Sequence, residues 1–174
     1  MKAYIVFVLI LVCGFFGSAN AQRRDYMTEA EIEIVRNNQE VEQRMNVLTR
    51  MIDRRFVALG IAAGGSKPKK TDDEWGAEPT GSRAELLSDI KSLIEKAIDD
   101  IDNLAARMPD KMKEEKKGVN VFNKAVRDLA ASANRWIPHL RKEYDTAQDD
   151  KVRVAAASSL ELCQQIIEAT SKLK

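Results

Sequence analysis

Few side chains in this sequence stand at spacings that could do chemistry. His139 is the only histidine, which rules out a metal site built on paired imidazoles. One cofactor- or metal-binding alternative survives, with His139 as an axial ligand and a methionine opposite it. Met27, Met45, Met51, Met108 and Met112 are available, but no spacing selects one. Covalent haem attachment would need C-x-x-C-H, which does not occur. Carboxylate-bridged di-metal bundles use Glu-x-x-His pairs, and the residue three before His139 is Trp136. Asp99, Asp100 and Asp102 crowd one helical stretch as a solvated face would. Asp72-Asp73-Glu74 with Glu78 lacks the alternating ligands and central glycine of an EF-hand loop. No catalytic residue, metal ligand or cofactor-binding residue is therefore expected, and the sequence reads as non-enzymatic.

Two polar oddities point instead to interaction. Trp75 lies in a polar segment flanked by glycine and proline. An indole there either folds onto the end of the protein as a lid or serves as an anchor for a partner. Asn38 interrupts an apolar heptad row, as an ordinary break or as the polar residue that sets register in a self-associating coiled coil. With Val41, Met45 and Leu48 these residues make the candidate interaction surface, for a protein partner or for a second copy.

The elements that must position them are helical throughout. Thr28-Glu29-Ala30-Glu31 opens the first: Thr28 and Glu31 are spaced as a capping box, with Met27 and Ile32 placed for a hydrophobic staple. A helix is predicted over 28–59, with Ile34, Val41, Met45, Leu48, Ile52 and Leu59 along one seam. Gly60 is suited to a left-handed cap with Ile61 folding back on Phe56. Acids at its start and Arg50, Arg54 and Arg55 at its end match the helix dipole. Residues 61–81 then form a long linker rich in glycine, proline and charge.

Ser82 and Glu85 make a second capping box, opening a helix to about residue 107 with Leu87, Ile90, Ile94, Ala97, Ile101 and Leu104 in its seam. A third helix is predicted over 120–145, with Pro138 expected to kink or end it. The segment 146–149 can cap a fourth, carrying Val152, Ala156, Leu160, Cys163 and Ile167. Short connections between the last helices favour antiparallel neighbours, so the predicted fold is an all-α, up-down bundle of about four helices.

Around the tryptophan, Trp75-Gly76-Ala77-Glu78-Pro79-Thr80-Gly81-Ser82-Arg83, followed by Leu86-Leu87-Ser88-Asp89-Ile90, resembles a set of uncharacterised exported helical bacterial proteins. Met27-Thr28-Glu29-Ala30-Glu31-Ile32-Glu33 and Ile52-Asp53-Arg54-Arg55-Phe56 are similar to the same set. The resemblance spans about the first two helices and implies an exported helical domain with no assigned activity.

Compartment and partners follow from the N-terminus and the charge. Lys2, an apolar run from Ala3 to Phe16, and Ala19-Asn20-Ala21 have the order of a secretory signal, with cleavage expected after Ala21. The apolar run is too short to span a bilayer comfortably, and Val12 before Cys13 does not suit a lipoprotein. The remaining domain, 22–174, would carry 27 basic and 27 acidic residues, since residues 1–21 hold one lysine and no acid. That balance argues against nucleic acid as a partner. Cys163 would be the single mature cysteine, packed as a small hydrophobe between Leu160 and Ile166. The expectation is a periplasmic or secreted protein of the bacterial cell envelope, without a membrane span once cleaved, whose role is structural or lies in protein–protein interaction.

Overall fold

The computed structural model describes residues 24–65, 73–107 and 116–173. The expected leader, residues 66–72 of the expected linker, and Met108 with Met112 lie outside them. Among the described residues the protein is all-helical, with no strand: α1 (Glu29–Asn37), α2 (Val41–Ala58), α3 (Arg83–Arg107), α4 (Lys116–Thr146) and α5 (Asp150–Thr170), plus one 3-10 turn, Asp73–Trp75.

The predicted first helix is two helices. The capping box forms at its start, where the Thr28 amide donates to Glu31 Oε2 at 3.0 Å and the Glu31 amide to Thr28 Oγ1 at 3.3 Å. The helix then stops at Asn38, whose backbone leaves the helical region (φ −108, ψ 88). The Asn38 side chain takes the Ile34 carbonyl at 2.8 Å, a bond that Asn makes in competition with the next helical turn. Its neighbours Asn37, Gln39 and Glu40 are exposed, so no apolar burial holds that turn in place. Helix α2 ends as read from Gly60 and Ile61. Gly60 sits at φ 76, its amide reaches the Val57 carbonyl, and the Ile61 amide reaches that of Phe56 at 2.8 Å, the paired bonds of a Schellman cap.

The long seams meet in one core. Leu48 and Ile52 on α2, Leu87, Ile90 and Ile94 on α3, Ala133 and Trp136 on α4, and Cys163 on α5 are all inaccessible to water. Extensive contacts link α2 to α3, α3 to α5, α5 to α4, and α4 back to α2. Helix α1 lies outside this circuit and packs on α2 and on the 3-10 turn. Helix α4 does not end at Pro138 but runs through it to Thr146. Pro138 faces solvent and Asn134 is exposed, so the carbonyl that lost its amide partner can turn to water. No helix of the described residues is long and apolar enough to cross a membrane.

Candidate functional site

The break at Asn38 lets α1 fold back so that Glu31 meets the far end of α2. Glu31 is fully buried, and the Arg55 guanidinium, 1% exposed, grips both its oxygens, with Nη2 donating to Oε2 at 2.6 Å and Nη1 to Oε1. The same guanidinium donates to the Tyr26 carbonyl at 2.7 Å and the Met51 carbonyl at 3.2 Å. Its Nε has no hydrogen-bond partner among the described residues and lies 3.9 Å from Asp89 Oδ2 on α3. Arg24 holds the other side of Asp89 at 2.9 Å and reaches the Thr80 carbonyl at 2.6 Å. Burial outweighs both guanidiniums at Asp89 and pushes its carboxyl up to about 6. Nothing in the spacing of Glu31, Arg55 and Asp89 foretold this cluster, because Glu31 and Arg55 already had local explanations as cap and helix-end charge, and Asp89 had no assigned role.

Arg54 extends the cluster to the Trp75 segment. It donates to Glu31 Oε1 at 2.8 Å, to the Trp75 carbonyl at 3.1 Å and to the Ala77 carbonyl at 2.7 Å. The Trp75 ring is 5% exposed, with the guanidinium carbons of Arg50 and Arg54 at 4.5 and 5.5 Å from its centre. Aromatic faces attract cations at that range. The indole N–H has no hydrogen-bond partner among the described residues.

A third buried acid, Asp53, lies on α2 two residues before Arg55. Asp53 accepts from the Trp136 indole at 2.8 Å and more loosely from Arg135 at 3.4 Å. Burial raises its pKa, opposed by the Trp136 hydrogen bond and by Arg135. Arg135 also holds the Ala63 carbonyl at 3.1 Å and Ser132 Oγ at 3.2 Å. Gly65 backs onto this acid: a Cβ there would stand 2.0 Å from Asp53 Oδ2, and its φ is 96. Only glycine fits both constraints.

Between these clusters a cleft of about 750 Å³ opens where α1, α2, the 3-10 turn and α4 converge. Its α2 wall carries Gln43, Asn46, Thr49 and Arg50, with Asn37 on α1 and Trp75 at the turn. The side-chain amides of Asn37, Gln43 and Asn46 make no hydrogen bond to another described residue. Among the described residues no nucleophile in this cleft is paired with a base: Ser132 Oγ donates to the Asp128 carbonyl at 3.1 Å.

The residues singled out from the sequence fall in different places. Trp75 is packed down beneath Arg50 and Arg54. Asn38 lines the cleft as the stop of α1. Met45 and Leu48 are buried at 3% and 0% exposure, and Val41 is half-buried against the same core, so this seam is occupied within the chain. His139 is half-buried on α4, its ring centre 6.1 Å from that of Phe56. Among the described residues no three His, Cys, Asp or Glu side chains are grouped to hold a metal ion. Asp100, read as solvated, joins Arg44 at 2.8 Å and Lys96 at 2.6 Å.

No family model, curated protein or solved structure matches this chain, so the resemblance at residues 75–83 assigns no role to any residue.

Proposed function

We propose that this chain is a non-enzymatic, exported binding protein of the bacterial cell envelope, whose working surface is the cleft between α1, α2 and the Asp73–Trp75 turn. In this reading α2 to α5 form a four-helix bundle that serves as a rigid scaffold, and α1 with the Trp75 turn forms the binding face. The observation that carries it is a division of labour among polar groups. The reactive ones, Glu31, Asp53 and Asp89, are buried and engaged with arginine or tryptophan donors. The cleft is also lined by Arg50, Arg135 and Glu74, but the side-chain amides of Asn37, Gln43 and Asn46 there make no hydrogen bond to another described residue, and they are groups suited to binding and not to bond-making. The export half of the reading rests on the order of residues 1–21.

Site-directed photo-crosslinking in the native envelope tests it. A crosslinking residue at position 46 is expected to give adducts that one at Tyr144, exposed on α4, does not. N-terminal sequencing of the exported protein is expected to begin at Gln22. Absent or equal adducts at the two positions, or a retained leader on cytosolic protein, would overturn the reading.

A further inference from the structure

We infer that the cleft takes a neutral, hydroxyl-rich ligand, a short oligosaccharide; this rests on the reading of the cleft as the working surface. Gln43, Asn46 and Arg50 follow one another at steps of three and four, so they share one face of α2. Asn37 faces the same space from α1. A side-chain amide offers one acceptor oxygen and two N–H donors. Sugar hydroxyls both donate and accept, so a row of amides can match them without a charged group. The amides of Asn37, Gln43 and Asn46 are engaged by no other described residue, and using them disturbs no internal bond.

Charge and shape exclude the competing ligands. Arg50 and Arg135 are balanced in the lining by Asp53 and Glu74, so no net field favours an anion. The Arg135 fork is committed to Asp53 and to the Ala63 carbonyl, and an anion would have to displace a buried acid. A helical peptide needs a row of apolar anchors. The apolar lining here is Ile34, Val47 and Trp75, and the Trp75 ring is already flanked by guanidiniums. The cleft volume, about 750 Å³, lies within the roughly 300–1,000 Å³ of small-ligand sites.

The test titrates the exported protein with chito-, cello- and malto-oligosaccharides, a heparin fragment and an amphipathic peptide. Tryptophan fluorescence follows the binding, since Trp75 lines the cleft. At least one neutral series is expected to bind saturably, with equal affinity at low and high salt. Gln43→Ala and Asn46→Ala replace exposed side chains, so both should melt as the wild type does. Each is expected to weaken binding by about three- to tenfold, the loss of one hydrogen bond. Binding confined to heparin and lost in salt, binding confined to the peptide, no binding, or full affinity in both variants would each overturn the proposal. If position 46 crosslinks a protein while no sugar binds, the binding surface stands and the sugar is eliminated.

Discussion

Arg55 lays its guanidinium along the carboxylate of Glu31, one nitrogen to each oxygen, where neither residue is more than 1% exposed. The contact joins the first turn of α1 to the last turn of α2 and fixes the angle between them. Each group has several partners, as a buried charge requires. Glu31 therefore serves two ends at once, capping its own helix and anchoring α2 through Arg55, which also donates to the Tyr26 carbonyl, and the Trp75 turn through Arg54.

Replacing Glu31 by Gln should cost about 3–5 kcal/mol, because it strands buried guanidinium charge. Glu33→Gln provides the contrast: its pair with Arg36 is exposed on both sides, at 58% and 66%, and such pairs contribute about 0–1 kcal/mol. Urea unfolding of the two variants checks this. Equal losses would mean that the buried pair is not what holds α1 down.

Asp89 should leave a pH signature. Its carboxyl rises from 3.8 to about 6, so the folded state takes up this proton more readily than the unfolded chain. The stability it contributes is complete below about pH 3.8 and is lost as the pH rises through 6. Asp53 shifts in the same direction. Asp89→Asn should be at least as stable as wild type at neutral pH and show a flatter profile from pH 4 to 6. Thermal melts across that range give the answer; an unchanged slope would contradict the burial argument.

The two tryptophans should respond unequally to phenylalanine. Trp136→Phe removes the indole donor from buried Asp53, which adds about 1–3 kcal/mol for a weakened acid site to the loss of packing. Trp75→Phe removes an N–H with no partner among the described residues and should cost clearly less. Chemical denaturation ranks them, and the reverse order would mean that Asp53 does not depend on its indole.

Cys163 should be inert in the native protein. It is fully buried and its thiol is pushed up to about 12 by desolvation, so almost no thiolate is present at neutral pH. Iodoacetamide is expected to label it only after denaturation. Rapid native labelling would show that α5 opens.

What could be read in advance were features whose partners lie within a few residues of one another. The capping boxes at Thr28 and Ser82 and the Schellman ending at Gly60 formed as their spacing required. So did the apolar faces of α3 and α5, because burying a stripe at helical period needs no knowledge of which neighbour covers it. Misread were the points where local rules compete. Asn38 fitted a heptad row, yet its side chain took a carbonyl and ended the helix. Pro138 was expected to kink or end its helix, and of these the end does not occur, since the helix runs through it to Thr146.

By itself the sequence determined the helices, their caps and the faces they bury, because those depend on neighbours three or four residues away. Tertiary structure decided the rest. It brought Glu31 to Arg55 across 24 residues and Asp53 to Trp136 across 83, and it turned a tryptophan from a polar stretch inward beneath two arginines. Buried charges pair according to where helices end and how they cross, and those crossings are chosen by the whole core.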